Sequence, residues 1–150
     1  MNAPVLRLIN SSITHLLHRA SQHAEDLFAR SVADAGLTAR QFIVLAVVDG
    51  LDDPSQTALC EVSGIDRSTL ADIVRRLVAR GLLSRRRTRR DARMYAVRIT
   101  PEGKRMLERT MPTARDVDAQ LLQGLTTAQR QDFEAALKKI VTQGPLSKAA

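Results

Sequence analysis

The sequence predicts a mostly α-helical fold with one small β-hairpin, an α+β chain in which the β part is slight. Three observations predict it. Apolar residues recur at three- and four-residue steps over long stretches, as on one face of a helix. Aromatic residues are few (Phe28, Phe42, Tyr95 and Phe133), leaving a core of Leu, Ile, Val and Ala. A single short segment, ending in MYAVRI, alternates with period two instead. Hydrophobic residues make up 44% of the 150, enough for a packed core, so wholesale disorder is excluded. The length suits one domain or two small lobes sharing a core.

The elements follow in order. Residues 5–33 carry one stripe through Leu6, Ile9, Ile13, Leu16, Leu17, Ala20, Ala24, Leu27 and Phe28, which predicts a single long helix closed by Gly36. Thr38 with Gln41 three residues on forms a capping box. The helix it opens, through Val48, is apolar on nearly every side after Phe42 and should be central. Asp49-Gly50 and Asp52-Asp53-Pro54 make a loop. Ser55 caps a short helix through Ser63, Gly64 supplies a three-residue turn, and Asp66 caps a second helix. That helix has the stripe Leu70, Ile73, Val74, Leu77 and Val78, and Gly81 stands where a left-handed residue is wanted.

Thr100-Pro101-Glu102 starts another helix, with a cap, a first-turn proline and an acid at the positive dipole end. It should run to about Gln123, with a kink or break at residues 108–112 where Pro112 removes a backbone hydrogen bond. Thr126 and Gln129 repeat the capping logic. The last helix places Phe133, Leu137, Ile140 and Val141 on one face and should stop near Gly144-Pro145.

Charge is concentrated. Net charge is +7. Between Asp66 and Arg105 stand twelve Arg and one Lys against four acidic residues, a net of +9; the other 110 residues carry ten basic and twelve acidic groups, a net of −2. A positive field confined to one segment implies that this segment binds a polyanion.

A short helix, a glycine turn and a second helix form a helix-turn-helix, the unit that reads DNA. Opposite the apolar stripe of the second helix lie Ser68, Asp72, Arg75 and Arg76, with Arg67 and Thr69 at its N-terminal end. Arginine can donate two parallel hydrogen bonds to guanine, and hydroxyls reach phosphates or bases. Arg76 and Arg80 read equally well as a solvated charged face. Ser55, Gln56 and Thr57, which open the first helix, complete the candidate DNA-binding set.

The segment LSRRRTRRDARMYAVRIT holds seven arginines in residues 83–100. Leu82 and Leu83 precede the run. After it Tyr95, Val97 and Ile99 share one face, with Met94, Ala96 and Arg98 on the other. The arginines therefore sit on a hairpin with its tip at about Thr88 to Ala92, tied to the second helix by Leu83, Val97 and Ile99. A basic hairpin beside a recognition helix is a wing. Arg85, Arg86 and Arg87 suit phosphate contacts, and Arg89, Arg90 and Arg93 suit a minor groove. Asp91 is either a partner for an arginine across the tip or an ordinary turn residue.

These residues resemble the multiple antibiotic resistance regulator (MarR) family of winged helix-turn-helix repressors. Gly64-Ile65-Asp66-Arg67-Ser68-Thr69-Leu70, Arg80-Gly81-Leu82-Leu83, Asp91-Ala92-Arg93 and Ile99-Thr100-Pro101-Glu102-Gly103 carry the resemblance, which extends over nearly the whole chain. It implies a winged helix-turn-helix over residues 37–100, with long dimerisation helices in 1–36 and 101–150, and an Asp91–Arg93 pair shaping the wing. It also implies a homodimer on double-stranded DNA, at a pseudo-palindromic operator with half-site centres roughly 10 bp apart or a multiple. In the family a small effector, often an aromatic acid, a phenolic or a CoA thioester, binds between the dimer helices and the winged domain and releases DNA. No motif identifies the effector-binding residues.

Other classes are disfavoured. No Gly-rich phosphate loop or Ser/His/Asp order marks an enzyme. His15, His18 and His23 lie on the first helix, and a pair at three-residue spacing is too little for a metal site, so no metal and no cofactor are expected. Cys60, the one cysteine, fits a reducing compartment and reads as a small buried hydrophobe. The longest apolar run, FIVLAVV, is too short for a membrane, so a cytoplasmic location is expected. Two alternatives stand beside the repressor: a nonspecific nucleic-acid-coating protein, and a redox-responsive regulator acting through Cys60.

Overall fold

The computed structural model describes residues 3–87 and 95–142. Helices α1 (Ala3–Ser11) and α2 (Ile13–Ser31) lead through a 3-10 turn (Ala33–Ala35) to α3 (Ala39–Gly50), α4 (Gln56–Ser63) and α5 (Arg67–Ala79). Strands β1 (Leu83–Arg87) and β2 (Tyr95–Ile99) follow, then α6 (Pro101–Leu121) and α7 (Thr127–Thr142). The mostly helical class with one antiparallel hairpin is as the sequence predicts.

The single helix expected over residues 5–33 is two helices. Ser11 turns its hydroxyl back onto the Arg7 and Leu8 carbonyls, and Ser12 accepts from the His15 N–H as the cap of α2. Paired serines offer the backbone partners outside the helical ladder, so the chain breaks although the apolar stripe continues across it. α2 also ends earlier than Gly36, at Ser31.

The capping expectations hold at atomic level. The Thr38 hydroxyl accepts from Gln41 N–H at 3.2 Å, while the Gln41 side chain accepts from Thr38 N–H at 3.1 Å. The same reciprocal pair joins Thr126 and Gln129. α3 runs to Gly50, two residues beyond the expected end, and α7 ends at Thr142. Gly64 takes the left-handed conformation (φ 68°) that reverses the chain between α4 and α5.

Pro112 does not interrupt α6, which is helical from Pro101 to Leu121. Both Pro112 and Glu108, whose carbonyl loses its helical partner, are exposed, so water can satisfy that carbonyl. Buried Leu107 and Val117 anchor the helix on either side of the proline.

One core holds Val44, Leu45 and Val48 of α3, Leu59 of α4, the α5 stripe, Leu82, Leu83, Val97 and Leu107. A smaller cluster of Phe28, Val32 and Val117 packs α2 on α6. Phe42 touches both clusters, and its ring lies 5.5 Å from that of Phe28. By contrast Leu6, Ile9, Ile13 and Leu16, with Phe133, Ile140 and Val141, are exposed.

In the hairpin Leu83 pairs with Ile99, Arg85 with Val97 and Arg87 with Tyr95. Ala96, read as outward-facing, is buried along with Val97. The reason is that α3, α4 and α6 all pack near β2. The loop before α4 adds to this strand: Val97 N–H donates to the Pro54 carbonyl, and Arg98 forms a forked ion pair with Asp53. Expected to face outward beside Ala96, Arg98 is thus tied to the loop that leads into the helix-turn-helix.

Thr100 joins the hairpin to α6. Its hydroxyl donates to Gly81 O at 2.6 Å and accepts from Gly103 N–H at 3.0 Å, while its own N–H donates to Leu82 O. The closeness explains Gly103: a Cβ there would stand 2.1 Å from the Leu82 carbonyl oxygen and 2.9 Å from Ile99. Gly103→Ala is expected to lower stability by about 3 kcal/mol, as overpacking against backbone outweighs alanine's helical advantage. Gly50→Ala, where a Cβ meets open space, should leave stability nearly unchanged. Urea unfolding midpoints of the two variants check this.

Candidate nucleic-acid interface and the cavity beneath it

The interface is set by burial on α5. Leu70, Ile73, Val74 and Leu77 are all in the core, so the opposite face must point to solvent. On it stand Arg67, Ser68, Arg75 and Arg76, all exposed, with Asp72 half-buried between them. The Asp72 carboxylate is held on both sides. One oxygen accepts from Arg75 and the other from Arg76 Nε at 2.6 Å. These hydrogen bonds, from Arg75 first and then Arg76, lower its pKa. Both guanidinium groups remain largely open to solvent, with side-chain exposures of 68% and 62%. The pairing therefore orients them more than it stabilises the fold.

At the N-terminal end of α5, Asp66 caps the helix by accepting from Thr69 N–H at 3.0 Å. It also accepts from the Ser68 hydroxyl at 2.6 Å, so the proton of Ser68 is engaged within the cap. Arg67 reaches back to the Thr57 hydroxyl on α4 at 3.4 Å. Ser55 caps α4 through Ala58 N–H, Gln56 is half-buried and Thr57 is exposed. Arg80, for which a solvated face was one reading, donates to the Gly36 and Ala35 carbonyls. In the wing Arg85 and Arg86 are exposed and Arg87 ends β1. Arg89, Arg90, Asp91 and Arg93, with the expected Asp91–Arg93 pair, lie outside the described residues.

A cavity of about 570 Å³ lies between α2, α3, α6 and the turn of the helix-turn-helix. Phe28, Phe42, Ile43 and Val117 give it apolar walls, and Glu25, Arg40, Asp66 and Asp118 its polar groups. Desolvation raises the Asp118 pKa. Arg40 is paired with Glu25, Nη2 to Oε1 at 3.2 Å. No lining residue carries a motif that marks it as effector-binding. The polar groups of the cavity come from four separate segments, and only Asp66 had a local signal, as a cap.

Among the described residues no group of three His, Cys, Asp or Glu could hold a metal ion. His15 is half-buried, His18 and His23 are exposed, and none of them lines the cavity. Cys60, expected to be buried, is half-buried against the core. No helix among the described residues is long and apolar enough to cross a membrane.

A buried-stripe recognition helix, a glycine turn and an arginine-bearing hairpin define a winged helix-turn-helix DNA-binding regulator. Residues 35–94 match the model of the MarR family. A solved structure described as the mechanism for regulation of DNA binding of Bordetella bronchiseptica BpsR by 6-hydroxynicotinic acid is 30% identical, with a TM-score of 0.82 over 93% of this chain and 96% of that one. The PcaV regulator of Streptomyces coelicolor, solved with its natural ligand, is 28% identical at a TM-score of 0.82, covering 89% and 94%. The transcriptional repressor NicR of Pseudomonas putida is 28% identical over 133 residues, 89% of this chain and 84% of NicR. The chain belongs to the MarR family, and it is a DNA-binding transcriptional regulator and not an enzyme.

The Asp66 cap carries a pH signature. Hydrogen bonds from Ser68 and then Thr69 hold its carboxyl well below the usual aspartate range. A depressed folded pKa means a stabilising contribution that is complete above about pH 4 and drains away as pH falls further. Asp66→Asn keeps a good cap without the titration. Its unfolding midpoint should therefore fall less than wild type between pH 7 and pH 3 in urea titrations. Parallel losses in the two proteins would contradict the assignment.

Proposed function

We propose that the chain is a homodimeric repressor of a pseudo-palindromic operator, released by a small aromatic carboxylate. The observation that carries the effector part is the composition of the cavity wall. The turn Ser63–Asp66, which includes the cap of the recognition helix, forms one side of it. An occupant would therefore press on the segment that positions α5. The volume suits a single-ring ligand. Phe28 and Phe42 offer ring faces, and Arg40, released from Glu25, offers a fork for a carboxylate. That BpsR is regulated by 6-hydroxynicotinic acid supports an aromatic acid as the class.

In this reading residues 37–100 read DNA while 1–36 and 101–150 dimerise. The exposed apolar side chains of α1, α2 and α7 support the dimer, since a monomer would leave them in water. Arg67, Thr69, Arg75 and Arg76, with Asp72 aligning the last two, contact the major groove. Ser55, Gln56, Thr57, Ser68, Arg85, Arg86 and Arg87 track phosphates, and Arg89, Arg90 and Arg93, with Asp91, are assigned to the minor groove. A cytoplasmic location belongs to the same reading.

The effector part is tested by titrating the protein–operator complex with 6-hydroxynicotinate and with benzoate while following DNA anisotropy. At least one should release the DNA. Arg40→Ala should bind operator as wild type does, yet require roughly tenfold or more acid for release, the loss of one charged hydrogen-bonding partner. Release that is unchanged in Arg40→Ala would contradict the role of Arg40. Failure of both acids to bind in calorimetry would contradict the effector class.

A further inference from the structure

Arg80 closes α5 and at the same time holds the end of the N-terminal arm. Its backbone N–H caps the helix by donating to the Arg76 carbonyl, and the next N–H, of Gly81, donates to the Val78 carbonyl. The Arg80 guanidinium then donates to Gly36 O at 2.7 Å through Nη1 and to Ala35 O at 3.2 Å through Nη2. The two carbonyls end the 3-10 turn, where Gly36 is left-handed (φ 59°) and its N–H returns to Ala33 O. They are carbonyls that a helix end leaves without internal partners, and a forked cation suits them. Leu37, directly after them, is buried in the core.

Among the described residues, two polar side-chain links cross from residues 3–36 to the rest of the chain, beside the apolar packing of Phe28 and Val32 on Phe42 and Val117. One is Arg40–Glu25 at the cavity, and the other is Arg80 on Ala35 and Gly36. Arg80 itself does not line the cavity.

We propose that Arg80 is a positioning residue that fixes the angle between the dimer-forming arm and the recognition helix, and with it the operator half-site spacing the protein accepts. The inference rests on the homodimer reading. A 13-residue helix is roughly 20 Å long, and a rotation of about 10° at one end moves the other by about 3 Å, close to the rise of one base pair. α5 is held to the arm at its C-terminal end, while its N-terminal end approaches DNA. A small loss of angular control at Arg80 is thus enlarged at the bases, and a twofold dimer doubles it.

The test uses full-length protein and a duplex selected by wild type from a random-sequence pool. The duplex is rebuilt with one base pair removed from, or added to, its centre, and also as a single half-site. Wild type should lose roughly tenfold or more in affinity at either altered spacing, as for a mismatched site. Arg80→Met and Arg80→Gln should bind the single half-site like wild type but lose most of this discrimination. A purely structural role predicts weaker binding to every duplex with the spacing ratio unchanged. That result, or full discrimination in whichever variant folds, would overturn the proposal. Sedimentation of wild type separates the two readings: a monomer that selects no palindrome would defeat the dimer reading itself, whereas a dimer with unaltered spacing control in the variants defeats only the role of Arg80.

Discussion

Burial of one face of α5 is the constraint on which the rest depends. Leu70, Ile73, Val74 and Leu77 enter the core beside Leu45, Leu59, Leu83 and Val97, and each brings a different element with it. α3 and α4 are held by Leu45 and Leu59, and the hairpin by Leu83 and Val97. Full burial of such side chains is worth about 1.5–3 kcal/mol each relative to exposure, more than any of the exposed ion pairs in the molecule. The core thus decides which way α5 faces, and the charged groups accept the consequence. With the stripe inside, Arg67, Arg75 and Arg76 have only solvent or a partner to face.

Electrostatics then acts locally on a surface that packing has prepared. Asp72 holds Arg75 and Arg76 together, which limits how freely two long side chains sweep the solvent. Arg98, at the root of the wing, is tied to Asp53, so that not every arginine in the basic segment is available to DNA. Asp66 faces two ways: it caps α5 and it forms part of the cavity wall. That double placement gives an occupant of the cavity a short physical path to the recognition helix, without a chain of intermediates.

Features that depend on residues three or four apart were legible in the sequence. Thr38, Ser55, Asp66, Thr100 and Thr126 cap the helices they were expected to cap, because a cap needs only its own hydroxyl or carboxylate and the next turn. The glycine turn, the strand alternation and the basic segment were legible for the same reason. Some local expectations failed, among them the outward face of Ala96. Periodicity carries straight through Ser12, so the break in the first helix was hidden. Pro112 lies on an exposed face where water can satisfy the freed Glu108 carbonyl, and α6 stays helical through it. What could not be read was every partnership across distance: Arg80 with Gly36, Arg98 with Asp53, Arg40 with Glu25. Each joins residues far apart in sequence, and only the packed core brings them together. The cavity is of the same kind, and its lining carries no motif.

The central claim is that two copies of α5 read the major groove on one face of a duplex. Methylation interference tests it most directly, since a methyl group on guanine N7 blocks the acceptor that an arginine such as Arg75 would use. A selected duplex, lightly methylated and sorted into bound and free fractions, should show interference in two patches roughly 10 bp apart or a multiple of that, related by twofold symmetry. Interference spread evenly along the duplex, or confined to one patch in a complex that contains two chains, would contradict it.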